Sequence, residues 1–114
     1  MADCVFCKII SGQLPATIVY QDANVVAFRD IAPAAPTHIL IVPRQHIASL
    51  AEAVKADGAL VDHLLSLATQ IAVSEKVDAS GYRLVINTGK HAGQSVFHLH
   101  VHLLAGRAMA WPPG

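Results

Sequence analysis

The chain is 114 residues long, 54% of its residues are hydrophobic, and eight basic and eight acidic residues give it a formal net charge of zero. The lack of a basic run disfavours binding to duplex nucleic acid, and the longest apolar stretches, such as residues 39–43, are too short to span a bilayer. The first residues also lack the basic and apolar segments of a signal peptide, so we expect a soluble cytoplasmic protein that forms one domain over residues 1–114 and has neither a nucleic-acid nor a membrane partner.

The first half of the sequence predicts one helical turn followed by three strands. The strands are indicated by runs of β-branched and aromatic residues, and the turn signal at 22–24 makes the first two a hairpin. Pro43 closes the third strand. The helical turn and the three strands are residues 6–10, 18–20, 25–28 and 38–42.

The second half predicts two helices and two further strands. A short helix begins near Ser49, and a longer one follows Asp57, which can cap its first turn. The longer helix has a broad apolar stripe at helical spacing, which predicts contact with the sheet and with a second surface. Ser80 and Gly81 are expected to end it. The stripe consists of Leu60, Val61, Leu64, Leu65, Leu67, Ala68, Ile71 and Ala72, and the strands are residues 82–86 and 96–104.

The connections between these elements predict the fold class. Turns and short loops join the strands, except where the helical segment intervenes, and such connections favour antiparallel pairing. We therefore expect an α+β domain, in which an antiparallel five-stranded sheet packs against one long helix and one or two short helices. Residues 105–114 follow as a tail whose prolines prevent it from joining the sheet. Its Trp111 either covers its own domain or reaches a partner subunit.

The two cysteines, Cys4 and Cys7, have the C-x-x-C spacing. In a reducing compartment this spacing indicates a metal site or a redox pair rather than a structural disulfide. Tetrahedral zinc needs four ligands, and the histidines of the chain offer the remaining two. The redox alternative, typical of thioredoxin-like folds, requires the pair where a strand leads into a helix, whereas here it stands at the N-terminus.

Three histidines alternate with aliphatic residues near the C-terminus, at His98, His100 and His102. In an extended strand alternate side chains share a face, so the three imidazoles would lie together and Leu99, Val101 and Leu103 would face the core. A row of imidazoles fills a core poorly, because each buried ring nitrogen needs a partner. The central ring has a neighbour on each side and should stay neutral, which suits a nucleophile whose second nitrogen donates to a backbone carbonyl.

The loop at residues 87–95 precedes these histidines and suits a phosphorus substrate. It contains two glycines, two side-chain amides, two hydroxyls and a series of backbone N–H groups. Such loops form concavities that bind anions, and their donors can hold phosphate oxygens as charge develops. The alternative is an ordinary hairpin loop, since the sequence has no Walker motif.

These features together resemble the histidine triad (HIT) family, in particular its Hint branch of nucleoside phosphoramidases. The family motif alternates three histidines with apolar residues and here is residues 98–104. Further similar segments lie along nearly the whole chain. They are residues 4–10, 28–31, 36–38 and 43–47, Asn87, residues 93–96 and the ending at 111–114.

The resemblance implies a homodimer in which the two sheets join, and a hydrolase that cleaves the P–N bond of purine nucleoside 5′-phosphoramidates. It implies that His100 attacks phosphorus and carries the nucleotidyl group until water cleaves it. His102 would contact the phosphate, with His98 beside the nucleophile, and Ser95 would lie near the leaving group. The alternatives are a dinucleoside polyphosphate hydrolase or nucleotidyl transferase, and a nucleotide-binding regulatory protein in which hydrolysis is incidental.

The resemblance also implies the positions that bind the nucleotide and a metal. Asp30 would accept hydrogen bonds from the ribose, and Trp111 would approach the partner subunit's site. Zinc would be structural, with four protein ligands and no role in the chemistry. The base slot would comprise Val5, Phe6, Ile9, Leu14, Phe28 and Ile31, with Arg29 beside it. The phosphate would meet Asn87, Gly93, Gln94, Ser95 and Val96, and zinc would be held by Cys4, Cys7, His46 and His98.

Overall fold

The computed structural model describes residues 3–114 and has the predicted α+β architecture. Met1 and Ala2, the first two residues of the predicted domain, lie outside the described residues. Five antiparallel strands form one sheet in the order β1-β2-β3-β5-β4. The elements are α1 Val5–Ile10, β1 Ile18–Gln21, β2 Val25–Arg29, β3 Thr37–Pro43, α2 Leu50–Ala56, α3 Gly58–Ser74, β4 Tyr82–Val85 and β5 Val101–Ala105.

The sheet separates two apolar layers, because successive residues of each strand point to opposite faces. In β2, Val25 and Ala27 belong to the layer that packs against α3, whereas Val26 and Phe28 pack on the other face with Phe6 of α1. The predicted stripe of α3 is confirmed as the covering surface of the first layer, since Leu64 and Leu67 are buried there. The short α1 covers the second face only in part, which leaves room there for a cavity.

Side-chain caps fix where α2 and α3 begin. The Ser49 hydroxyl accepts a hydrogen bond from the Glu52 amide at 3.4 Å, and the Asp57 carboxylate accepts one from the Leu60 amide at 3.1 Å. Each bond satisfies one of the amides that a helix leaves unpaired in its first turn. Among residues 3–114, no helix is both long and apolar enough to cross a membrane.

The long helix ends earlier than the sequence predicts. We expected Ser80 and Gly81 to end it, but α3 stops at Ser74. Lys76 adopts a positive φ of 61°, and the amides of Lys76 and Val77 return to carbonyls of the last helical turn. This is a Schellman motif with lysine at the position that glycine usually occupies, and it buries Val77 in the core.

The fifth strand is shorter than predicted. We expected it over residues 96–104, but β5 begins only at Val101. Its register places Val101 opposite Ile41, so Leu99 would fall opposite Pro43. Proline has no N–H with which to continue the ladder, and the Leu99 amide instead donates to the Ile47 carbonyl at 2.7 Å. Residues 98–100 therefore depart from the sheet while keeping the alternation of their side chains.

A partly buried carboxylate organises the turn between β1 and β2. Asp22 accepts hydrogen bonds from the amides of Asn24 and Val25, from the Tyr20 hydroxyl and from His63, all at 2.8–2.9 Å. Burial by itself raises the pKa of a carboxyl, but these hydrogen bonds outweigh it and lower the pKa of Asp22 to about 2. The turn is thus held to α3, on which His63 lies.

We expect Asp22→Asn to remove a pH-dependent part of the stability. Because the folded-state pKa lies below that of the unfolded chain, the contribution is present above about pH 5 and is lost as the pH falls toward 2. The pKa shift corresponds to about 1–2 kcal/mol at neutral pH for a carboxylate that is partly exposed. Urea unfolding between pH 3 and 7 measures this, with Asp78→Asn at an exposed turn as the control. A constant difference between Asp22→Asn and wild type across that range would contradict it.

Candidate active site and metal centre

A cavity of about 480 Å³ opens on the face of the sheet that carries α1. Its walls are apolar on the side of α1 and β2, and polar groups gather where β5 begins. This combination suits a ligand with a flat apolar part and an anionic part. Most of the residues predicted to bind nucleotide line it: Val5, Phe6, Ile9, Leu14, Phe28, Arg29, Asp30, Ile31, Ser95, Val96, His100 and His102.

Four residues predicted to contact the nucleotide lie outside the cavity lining: Asn87, Gly93, Gln94 and Trp111. The Gln94 side chain is buried, and its amide accepts from the Gly89 N–H at 2.9 Å and donates to the carbonyls of Ala48 and Val96 at 2.7 and 3.1 Å. It therefore holds the two ends of the loop together. Trp111 is 83% exposed, on a tail that Arg83 ties to β4 through the Ala110 carbonyl at 3.0 Å.

Arg29 borders the cavity, but its guanidinium is engaged elsewhere. It donates to both carboxylate oxygens of Glu75, at 2.8 and 3.0 Å, just beyond the end of α3. Its neighbour Asp30 keeps one oxygen bonded to the Ala32 amide at 2.8 Å. The other oxygen of Asp30 lies 3.5 Å from His38 Nε2, so the carboxylate stands at the polar end of the cavity.

The orientation of His100 is set by a backbone carbonyl. Its Nδ1 lies 2.8 Å from the carbonyl oxygen of His98. Since a carbonyl can only accept, Nδ1 carries the hydrogen, and in the neutral ring Nε2 then holds the lone pair. The Phe6 ring packs edge-on against this imidazole with centroids 5.1 Å apart. The neutral form of His100 therefore presents its Nε2 lone pair to the cavity, which is the arrangement that the sequence predicts for a nucleophile.

His102 is oriented by a fourth histidine that sequence reasoning did not include among the site residues. The Ala34 amide donates to His38 Nδ1 at 3.0 Å, and His38 Nε2 lies 2.9 Å from His102 Nδ1. In the neutral rings His38 Nε2 is then the donor, and the hydrogen of His102 is placed on Nε2. His102 thus offers the cavity an N–H donor beside the lone pair of His100.

The surroundings of these rings favour their neutral forms. Burial lowers the pKa of His38, although Asp30 partly opposes the shift. Burial, together with repulsion from His100 and His38, lowers the pKa of His102 to about 4. His38 and His102 are therefore neutral at neutral pH, which is the condition for the tautomers assigned to these two rings.

His98, the first histidine of the motif, does not reach the cavity. His98 is completely buried, and its Nε2 lies 2.8 Å from the Pro43 carbonyl. The expectation that all three imidazoles share one active surface therefore holds only for His100 and His102. His98 lies against Phe6 of α1, outside the cavity lining, and its burial there lowers its pKa.

Instead His98 joins the two cysteines and His46 in a compact cluster. His98 Nδ1 lies 3.4 Å from Cys4 Sγ and 3.6 Å from Cys7 Sγ, and Cys7 Sγ lies 3.3 Å from His46 Nδ1. All four ligand atoms are within 4.8 Å of one another. In a tetrahedral zinc site the sulfur and nitrogen ligands stand roughly 3.5 Å apart. The cluster thus has the donors and the spacing that zinc requires.

A second group of potential ligands, Asp30, His38 and His102, is also compact, but its hydrogen bonds distinguish it from the first. A metal-binding imidazole nitrogen needs a lone pair, so the opposite nitrogen must carry the hydrogen. His98 meets this condition, because its Nε2 donates to the Pro43 carbonyl. His38 does not, because its Nδ1 accepts from the Ala34 amide and leaves the hydrogen on Nε2. The first group fits a metal, and the second fits the transfer or donation of a proton.

The fold and the site together define a histidine triad protein, and comparison with known proteins agrees. Residues 3–110 match the family described as "Scavenger mRNA decapping enzyme C-term binding". An uncharacterized HIT-like protein of Synechococcus elongatus is 54% identical over 112 residues, which are 98% of this chain and 97% of that protein. The chain therefore belongs to the HIT-like family.

Two solved structures extend this result. A HIT family hydrolase from Legionella pneumophila Philadelphia 1 has a TM-score of 0.94 and 49% identity, covering 98% of this chain and all of that chain. A histidine triad nucleotide-binding protein from Candida albicans has a TM-score of 0.83 and 31% identity, covering 96% of this chain and 83% of that chain. These similarities support a hydrolase in general.

Proposed function

We propose that this protein is a purine nucleoside phosphoramidase, which hydrolyses the P–N bond of nucleoside 5′-phosphoramidates. The observation that carries the proposal is the pairing of two nitrogens at the polar end of an apolar cavity. His100 Nε2 presents a lone pair, and the ring of His102, whose centroid is 4.9 Å away, presents an N–H. A nucleophile beside a hydrogen-bond donor is what attack on a phosphate requires.

The proposed reaction has two steps. In the first, the lone pair of His100 Nε2 forms a bond to the phosphorus, the P–N bond breaks, and the leaving amine takes up a proton from solvent near Ser95. In the second, water attacks the phosphorus of the nucleotidyl-histidine and gives up a proton to solvent, the bond to Nε2 breaks, and the nucleoside monophosphate leaves. The Nδ1–H bond to the His98 carbonyl stabilises the positive charge that the ring carries while it is substituted.

The remaining residues of the cavity suit the other parts of a nucleotide. Phe6 and Phe28 meet edge to face with centroids 5.5 Å apart and form an apolar wall for a purine. The Asp30 carboxylate would accept hydrogen bonds from the ribose, and His102 would donate to a phosphate oxygen. We propose that Asn87, Gly93 and Gln94 act through the shape of their loop, and that Trp111 reaches the site of a partner subunit.

We expect His38→Asn to slow turnover even though His38 does not line the cavity. Without His38 Nε2–H, the hydrogen of His102 is no longer fixed on the nitrogen that faces the substrate. General acid and base groups contribute about a hundredfold or more to enzymatic rates, so a misplaced donor should lower kcat by at least tenfold with a smaller effect on KM. Steady-state kinetics test this, with His91→Asn in an exposed loop as the control. Unchanged kcat would remove His38 from the proposed network.

We further propose that Cys4, Cys7, His46 and His98 hold a structural zinc ion. When bound, zinc would cross-link α1 to the segment before α2, which carries His46, and to the segment after β4, which carries His98. With four protein ligands it would have no open position for water. The ligands would then fix His98, whose carbonyl orients His100. Two free thiols available to a metal also fit a protein that works in the reducing cytoplasm.

We also propose that the single domain of residues 1–114 forms a homodimer. Within the described chain β4 pairs with β5 on one side only, which leaves an edge that a second sheet could extend. Leu65 is exposed on the side of α3 that faces away from His63. His63 contacts the β1–β2 turn, so Leu65 lies on the side away from that turn. In the proposed dimer, this flank would be the second surface that the broad stripe of α3 predicts. Sedimentation equilibrium measures the mass of the assembly.

The alternative substrate is a nucleoside polyphosphate, and the family description favours it, because it names an mRNA decapping enzyme. The same nucleophile could attack phosphorus in a P–O–P linkage. Rates for adenosine and guanosine phosphoramidates, dinucleoside polyphosphates and a cap analogue, measured with the same protein preparation, distinguish the two. The proposal requires the highest kcat/KM for a phosphoramidate, and a higher value for a pyrophosphate substrate would overturn it.

A further inference from the structure

The two cysteines have a geometry that permits more than metal binding. Both are free and partly exposed, and they lie one helical turn apart where α1 begins. Residues three apart in a helix have Cα atoms about 5 Å from each other, which is inside the range that a disulfide spans. Because the ligand atoms of the cluster all lie within 4.8 Å of one another, the two sulfurs can bond to each other after only a small rearrangement.

The two states of this pair exclude each other. A disulfide sulfur is no longer a thiolate ligand, and two imidazoles alone hold zinc weakly compared with four ligands. His98 and His46 contact the cysteines and would lose their partners when the sulfurs join. Zinc binding and disulfide formation would thus compete for the same two atoms.

We propose that Cys4 and Cys7 form an oxidation site, at which a peroxide converts the two thiols into a disulfide and displaces the metal. One sulfur attacks an oxygen of hydrogen peroxide, the O–O bond breaks, and a sulfenic acid and water form. The second sulfur then attacks the sulfenic sulfur, the S–O bond breaks, and a second water leaves. The two cysteines lose two electrons and the peroxide gains them, so the step balances without another reactant.

Oxidation at this site would reach the cavity through Phe6, which lies between the two cysteines in the sequence. The Phe6 ring contacts His98 with centroids 5.9 Å apart and His100 with centroids 5.1 Å apart. The same His98 provides the carbonyl that orients His100. A change in the first turn of α1 would therefore disturb both the apolar wall and the proposed nucleophile. This last step rests on the proposed function, whereas the oxidation itself rests only on the cysteine pair and its proposed metal.

The oxidation can be tested on the intact, zinc-loaded protein with stoichiometric hydrogen peroxide. Because Lys8 follows Cys7 directly, trypsin releases both cysteines in a single peptide, whose mass should fall by that of two hydrogen atoms. A chromophoric chelator should detect zinc release in proportion to this peptide, and dithiothreitol with added zinc should reverse both changes. Phosphoramidate hydrolysis should fall about ten- to a hundredfold in parallel, as expected when groups that support a site are disturbed.

The controls separate this proposal from the proposed function. Cys4→Ser cannot form the disulfide, so its remaining cysteine should gain oxygen, which fragmentation of the peptide distinguishes from oxygen on Met1. In wild type, a peptide in which a cysteine gains oxygen, or that keeps both thiols while zinc stays bound, would overturn the oxidation site. If the disulfide forms and zinc leaves but the reduced protein never hydrolyses phosphoramidates, the oxidation site stands and the proposed function fails.

Discussion

The variant His100→Asn is expected to lose at least a thousandfold in kcat on a nucleoside phosphoramidate, since removing a covalent nucleophile costs on this order or more. Asparagine is the most informative replacement. Its side-chain nitrogen can occupy the place of Nδ1 and still donate to the His98 carbonyl, while the position of Nε2 is left empty. The loss would then report the missing nucleophile rather than a collapsed site.

Nucleotide binding should separate from turnover in this variant. The apolar wall of Phe6 and Phe28 and the carboxylate of Asp30 are untouched by the substitution. We therefore expect the affinity for AMP, measured by calorimetry, to stay within a few-fold of wild type. His91→Asn, which changes an exposed histidine in the nearby loop in the same way, should keep wild-type kinetics.

Mass spectrometry of rapidly quenched reactions tests directly for the covalent nucleotidyl-histidine. Wild type should carry a nucleotidyl group on His100, and His100→Asn should carry none. Turnover in His100→Asn close to that of wild type would exclude the proposed nucleophile. Tight AMP binding by wild type without an adduct or turnover would instead favour a nucleotide-binding protein in which catalysis is incidental.

Loss of the metal is expected to cause the second large effect, this time on stability. Cys7 lies within 3.6 Å of both imidazoles of the cluster, and serine has nearly its shape but is a poor zinc ligand. Structural zinc contributes on the order of 10 kcal/mol to the folding of the smallest zinc domains. Here a hydrophobic core also supports the fold, so we expect Cys7→Ser to cost several kcal/mol.

Unfolding by guanidinium with and without zinc measures this effect. Wild type should gain stability as free zinc rises and lose it to a chelator, because only the folded chain assembles the four ligands. Cys7→Ser should respond to neither. Ser11→Ala, at the opposite end of the same helix, should stay within about 0.5 kcal/mol of wild type and keep the response to zinc. A wild-type protein whose stability does not change when its zinc is removed would contradict the structural role.

Local signals in the sequence predicted the parts of the fold that depend on near neighbours. The caps at Ser49 and Asp57 act within three residues, and the stripe of α3 repeats every three or four, so both can be read without knowing the tertiary structure. The end of α3 could not be read in this way. A Schellman motif usually announces itself by glycine, and here Lys76 takes that position because burial of Val77 favours the turn.

The residues of the candidate site were likewise predictable only where they are close together in the sequence. The alternation of histidines predicted that His100 and His102 would lie together, and the C-x-x-C pair predicted a metal or redox site, because both patterns are short-range. Sequence spacing carried no information on the partners of these residues. Cys7 and His46 are 39 positions apart, and His38 and His102 are 64 apart.

By itself, then, the sequence determined which residue types could do the chemistry and which local segments would carry them. Only the tertiary structure decided that His98 lies with the cysteines outside the cavity and that His38 lies beside His102. The physical reason lies in the pairing of β3 with β5. Pro43 cannot extend this pairing, so the chain leaves the ladder before Val101. From Val101 onward, the register pairs His102 with Leu40 and so brings His38 of β3 close to His102. The sequence predicted antiparallel strands but not which distant residues stand beside each other, because that depends on the packing of the whole core.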